Sequence, residues 1–198
     1  MKLKSLLSIS LVSICFTSEV FAAKGLVIKL DITDKAQGLI NSKIRKRAGM
    51  QETKTRHHVT VGYINATLPD AQMDLLGRTI TQQLEQAYFN STNPISLIFD
   101  VDCAKQPFGN IIVLAPSNPK DLQNVNETVN TVTCNSGYVL NTLTQPGSYT
   151  PHITISVNKN GVDSQYLPGL NKEINDLKAN NNGRLYFKLD KFSYTVIK

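Results

Sequence analysis

Along residues 24–32 (KGLVIKLDI) apolar and polar side chains alternate with a period of two, the pattern of a half-buried strand. Residues 34–47 change to helical spacing, and Gly49 supplies the stop. A β-branched run, 57–64 (HHVTVGYI), predicts the next strand. Pro69 then opens an amphipathic stretch to Tyr88, in which Leu68, Leu75, Leu76, Ile80, Leu84 and Ala87 recur at helical spacing. Residues 95–101 and 108–114 read as a hairpin of buried strands joined through 102–107. A helix rich in Asn and Thr is expected over 119–133. The polar stretch 135–149, with Gly137, Pro146 and Gly147, reads partly as loop. A strand at 152–157 follows, then a helix capped by Asp163 or Ser164 and running to Lys178. After an Asn-rich turn at 180–183, strands at 184–189 and 192–197 finish the chain.

Strands and helices alternate through both halves without a low-complexity linker, which predicts an α+β fold with helices packed outside the sheets. The first residues have the form of an export signal: a basic start at Lys2 and Lys4, an apolar run from Leu6 to Phe16, and small residues near Ala22. Cleavage is expected after Ala22, leaving residues 23–198 as one domain in the periplasm or outside the cell. The apolar run is too short to span a bilayer as a mature helix, so no stable membrane anchor is expected. The bulky Ile14 before Cys15 argues against lipid attachment.

The formal net charge is +6, a mild excess that suits an anionic ligand and falls short of a surface built to coat nucleic acid. The densest basic cluster, Lys43, Arg45, Lys46 and Arg47, reads as a solvated helix face, or else as an electropositive lip that attracts phosphate. In an oxidising compartment Cys103 and Cys134 form an even pair that a disulfide could join, worth roughly 3–4 kcal/mol in the chain-entropy model.

The chain has three histidines, and two stand in near-copies of one phrase: HVTV from His58 and HITI from His152. Side chains in a strand alternate between faces, so His58 shares a face with Thr60 and His152 with Thr154, while the intervening Val59 and Ile153 point to a core. Imidazole titrates near neutrality, so one ring can serve as base while the other serves as acid. A threonine hydroxyl can hold an anionic oxygen. Two such pairs facing one cleft suit in-line displacement at a phosphodiester without a metal. His57, with Val59 at the corresponding offset, faces the other way and reads as structural.

The phrases RHHVTVGY (56–63) and YTPHITISV (149–157) resemble the two His-x-Thr/Ser motifs of the 2H phosphoesterase superfamily, which includes 2′-5′ RNA ligase-like proteins and 2′,3′-cyclic phosphodiesterases. The resemblance implies a pseudo-symmetric, two-lobed fold with two antiparallel sheets flanking a central cleft. It implies His58 and His152 as the acid–base pair, Thr60 and Thr154 as phosphate ligands, and a 2′,3′-cyclic phosphate or 2′-5′-linked nucleotide or RNA end as substrate. Tyr149 stands where an aromatic would either stack on a base or sugar or pack as an ordinary loop residue. Arg56 shares strand parity with His58 and would add charge at the cleft mouth or face solvent. No cofactor is expected, and the protein is expected to act as a monomer.

Other chemistry finds no support. Glycine-rich phosphate loops, HExxH and zinc-type Cys/His spacings are absent. Asn65, Asn90 and Asn126 open glycosylation sequons that matter only in a eukaryotic host. Two rival readings are a non-catalytic module that binds nucleotides or RNA ends, and a secreted interaction factor in which the paired motifs are coincidental.

Overall fold

The computed structural model describes residues 22–23, 25–51, 53, 55–157 and 164–198. The expected leader, apart from Ala22, and the Asp163 cap lie outside the described residues. The first short strand, β1 (Ala22–Ala23), pairs with β4 (Leu68–Pro69). Six longer strands, β2 (Gly25–Ile32), β3 (His58–Ile64), β5 (Leu97–Phe108), β6 (Ile111–Pro116), β7 (Ile153–Val157) and β8 (Tyr186–Ile197), close into a ring. Their order is β2-β3-β7-β6-β5-β8, and every neighbouring pair is antiparallel. The expected α+β class with antiparallel strands is what the chain adopts, its six long strands forming one closed barrel. The barrel has a narrow seam where β3 meets β7, which share the single register pair Val59↔Ile153.

The helices are α1 (Asp34–Leu39), continued as a π-helical segment over Ile40–Arg45, then α2 (Asp70–Tyr88), α3 (Lys120–Asn135) and α4 (Leu167–Ala179), the last preceded by a 3₁₀ turn at Ser164–Tyr166. Thr33 caps α1 by accepting from the Ala36 amide, and Gly49 ends the segment at φ +83°, a left-handed conformation glycine adopts without strain. The basic cluster is split by this packing. Lys43, Lys46 and Arg47 are exposed, while Arg45 turns inward and donates to Gln51 O at 2.8 Å.

Period-two alternation decides which face is core. Leu26, Ile28, Leu30 and Ile32 are fully buried, whereas Val27, Lys29 and Asp31 between them are half-buried. Burying each of these large aliphatics contributes about 1.5–3 kcal/mol. On the buried side α2 lies so close to β8 that a Cβ on Gly77 would meet the Tyr194 ring. The face carrying Lys29 and Asp31 is left for chemistry.

Two strand expectations change. Strand β5 runs unbroken through 102–107, and the turn falls at Gly109–Asn110, with Gly109 at φ +60°. Register shifts between Val101 and Cys103 and between Lys105 and Phe108 break the apolar alternation, which is why those residues look like a loop in sequence. Likewise the two strands expected at 184–189 and 192–197 are one, β8, running Tyr186–Ile197. The polar pair Asp190–Lys191 marks a register shift against β2, where β8 passes from β5 to β2 as its partner, and not a turn. Cys103 on β5 and Cys134 on α3 carry free thiols, so the bridge that the sequence left open is not formed.

Candidate active site

The pair Val59↔Ile153 sets the geometry of the site. In an antiparallel ladder, directly opposed residues share a face. Continuing that register places His58 across from Thr154 and Thr60 across from His152, with all four on the face opposite the fully buried Val59 and Ile153. Extended by one residue on either side, that register offers each imidazole a hydroxyl from the other motif. The two imidazoles are diagonal neighbours, for which the usual separation is about 7–8 Å, wide enough for a phosphate to sit between.

Both rings are aimed by the same device. His58 Nδ1 lies 3.2 Å from Arg56 O, and His152 Nδ1 lies 2.8 Å from Thr150 O, in each case the carbonyl two residues upstream. A carbonyl only accepts, so Nδ1 carries the proton and donates it. Nε2 of each neutral ring is left with its lone pair available for proton transfer.

The strands part beyond the seam, and the carbonyls that would continue the ladder take side-chain donors instead. Tyr149 Oη donates to Thr60 O at 2.8 Å, and His57 Nδ1 donates to Thr154 O at 3.0 Å. Each motif threonine is thus held by a residue from the segment leading into the other motif. Gln37 in turn clamps the His57 backbone, donating to its carbonyl at 2.6 Å and accepting from its amide at 2.9 Å. The Asn41 side chain lies 3.1 Å from His57 Nε2.

The symmetry extends to the backbone. Val61 has no partner on β2, where Ile28 pairs with Gly62 and Lys29 with Thr60. Ile155 has none on β6, where Ile112 pairs with Ser156 and Val113 with Thr154. Each motif strand therefore bulges three residues after its histidine, a device that bends a strand and re-aims its side chains. The Val61 carbonyl left over at the first bulge accepts from Asn126 Nδ2 at 2.8 Å. Asn126 is buried to 1% exposure, which leaves no room for a glycan at that sequon in the folded protein.

The surroundings of the two rings differ. Asp31 is the β2 partner of His58, and Lys29 is the partner of Thr60. His152 instead meets the ring of Phe108, with centroids 5.1 Å apart. Burial is the main cause holding His58 below its ordinary imidazole value. The Arg56 carbonyl and Asp31 oppose it, and Lys29 and His152 add to it. Burial also lowers His152, against the raising effect of the Thr150 carbonyl.

The structure brings His58, Thr60, His152 and Thr154 together on one face. Tyr149 packs beside them: its ring is only 6% exposed, its hydroxyl is on Thr60 O, and burial pushes that hydroxyl far above the usual phenol range. Arg56 pairs with Asp34 at 2.8 Å, and its side chain is exposed. Sequence reasoning missed Lys29, Asp31 and Phe108. The first two share parity with Val27 on the polar side of the first strand, a readable signal. Phe108 reaches the site only through the irregular tip of the β5–β6 hairpin, which leaves no signal in spacing. Among the described residues no cluster of three or more His, Cys, Asp or Glu could hold a metal ion, and no helix is long and apolar enough to cross a membrane.

No family model and no curated protein matches this chain. Among solved structures it is similar to a phosphoesterase, at 13% identity over 88% of each chain with a TM-score of 0.49. It is also similar to E. coli LigT complexed with 3′-AMP, at 14% identity over 89% of this chain and 96% of that one, with a TM-score of 0.46.

Proposed function

We propose that this protein is an exported, metal-independent phosphodiesterase of the 2H type, acting on a 2′,3′-cyclic phosphate or a 2′-5′-linked nucleotide or RNA end. The observation that carries the reading is the register pair Val59↔Ile153, which sets His58, Thr60, His152 and Thr154 on one face, with both imidazoles held through Nδ1 and, among the described residues, no partner on Nε2.

With a cyclic phosphate between the rings, the threonine hydroxyls donate to its non-bridging oxygens. One neutral Nε2 takes a proton from water as the oxygen of that water bonds to phosphorus. The bond from phosphorus to the 3′-oxygen breaks, and the other ring, entering as imidazolium, gives its Nε2 proton to the departing oxygen. The products are a 2′-phosphate and a free 3′-hydroxyl. The ring that accepted a proton returns it to solvent while the other takes one up. Positioned acid–base groups of this kind contribute about 10²–10⁴-fold each, and fixing the phosphate between them adds the advantage of proximity.

The test is hydrolysis of the four 2′,3′-cyclic mononucleotides by residues 23–198 in EDTA, with the product regioisomer resolved. A single 2′-phosphate product formed without metal supports the reading. Binding of nucleotide with no turnover of cyclic or 2′-5′-linked substrates would replace it with a binding module.

A further inference from the structure

The cleft is nearly two-fold symmetric in its histidines, threonines, Nδ1 anchors and bulges, which makes departures from symmetry informative. Across β8, β2, β3, β7 and β6, with the β3–β7 register extended by one residue on either side of Val59↔Ile153, the site face carries two rows of opposed side chains. One runs Ser193, Lys29, Thr60, His152. The other runs Lys191, Asp31, His58, Thr154, Val113. The pseudo-two-fold exchanges Thr60 with Thr154 and therefore Lys29 with Val113. A lysine partners one motif threonine, and a valine only 2% exposed partners the other.

We propose that Lys29 is a third phosphate-holding group of the cleft, binding with Thr60 the non-bridging oxygens of a phosphate or phosphodiester, so that the two half-sites divide into a charged one and an apolar one. The inference rests on the phosphodiesterase reading and adds to it a residue outside both motifs. Directly opposed Cβ atoms stand about 4.5–5.5 Å apart, and a lysine side chain is longer than that, so its ammonium reaches an anion held at Thr60. Lys29 is half-buried on the strand's site face, and among the described residues its ammonium makes neither an ion pair nor a hydrogen bond. A half-buried ammonium without an anion forgoes part of its hydration with no return, a cost that a bound phosphate removes. Asp31, two residues on and directly opposite His58, keeps a carboxylate on the same face without closing on Lys29. On the other half-site, Val113 and the exposed Phe108 ring beside His152 offer an apolar wall. A ligand with one charged end and one flat apolar end fits this division, its phosphate toward Lys29.

The experiment is a titration of inorganic phosphate against the imidazole ring protons by NMR, run on wild type, Lys29→Met, Lys29→Arg and, as a charge control at the exposed start of α3, Lys120→Met. Hydrolysis of the cyclic nucleotides is measured on the same four proteins, and thermal unfolding checks that each is folded. The expected result is saturable shifts of both His58 and His152 in wild type. Binding should weaken about ten- to hundredfold in Lys29→Met, the usual consequence of losing one charge-assisted contact. Lys29→Arg should restore most of it, and Lys120→Met should change little. Phosphate binding and KM unchanged in folded Lys29→Met would overturn the inference while leaving two-histidine turnover intact. Phosphate binding that depends on Lys29 without turnover of any phosphodiester would keep the inference and overturn the enzymatic reading. A wild type in which phosphate shifts neither histidine overturns both.

Discussion

Val59 and Ile153 are the one register pair between the two motif strands, and that pair decides which hydroxyl each imidazole meets. A slip of one residue would turn His58 and Thr60 toward the core and Val59 toward solvent. The buried faces of Val59 and Ile153, both fully enclosed, are what oppose such a slip. The active arrangement is thus specified by apolar burial, and the polar groups inherit their positions from it.

The seam is short, so its flanking braces matter. Tyr149→Phe removes the donor to Thr60 O and leaves a carbonyl short of a partner. We expect about 1–3 kcal/mol lower stability by urea unfolding, and a lower kcat/KM as Thr60 loses its fixed position. Unchanged stability would show that water replaces the hydroxyl and that the brace is incidental.

Close packing behind the first motif makes a second expectation. A Cβ on Gly62 would stand 2.8 Å from Val129 Cγ1 and 3.2 Å from Leu140 Cδ2. Gly62→Ala should cost about 1–3 kcal/mol by overpacking, read as a lower unfolding midpoint in urea.

The pH dependence of catalysis follows from the two rings. Burial holds both His58 and His152 below the ordinary imidazole value. The ring acting as base loses function as pH falls through its pKa, and the ring acting as acid loses function as pH rises through its own. Both limbs are displaced downward, so kcat/KM should form a bell whose maximum lies below about pH 6.5, the ordinary imidazole value. A maximum above pH 7 would contradict the placement of both rings in a partly desolvated cleft.

Stability should respond to His57 separately. Burial lowers its pKa, with Arg45 and His58 acting in the same direction and the bond to the Thr154 carbonyl opposing them. A base whose folded pKa is depressed binds fewer protons folded than unfolded. Stability is therefore full above its ordinary value and declines as the pH falls through that value toward the lowered one. Unfolding free energies measured between pH 8 and pH 5 should fall toward acid, and His57→Gln should flatten part of that slope while lowering stability throughout. A slope identical in the variant would remove His57 as its source.

Much of the fold is readable because period is a strong signal. The alternation in 24–32 and the helical spacing after Pro69 match β2 and α2 closely. The hairpin turn and the final strand are not readable in the same way. Bulges at 101–108 and at Asp190 put polar residues inside continuous strands, and local pattern treats those as turns. The motif residues are visible as His-x-Thr, which suggests pairs within each strand. The cross-strand pairing, His58 with Thr154 and His152 with Thr60, depends on a register that no local pattern contains. Tyr149 shows the same limit. Its position three residues before His152 says that it is near the site, and only the fold shows that its hydroxyl is spent on Thr60 O.

The central claim is that two imidazoles on one face act as a single acid–base unit. It is tested most directly by cyclic-phosphate hydrolysis in EDTA by wild type, His58→Ala, His152→Ala and the double variant, each confirmed as folded. Each single variant should lose about 10²–10⁴-fold in kcat. The double variant should lose little more, because groups acting as one unit are not additive. Turnover that survives loss of either histidine, or losses that simply multiply in the double variant, would contradict the account.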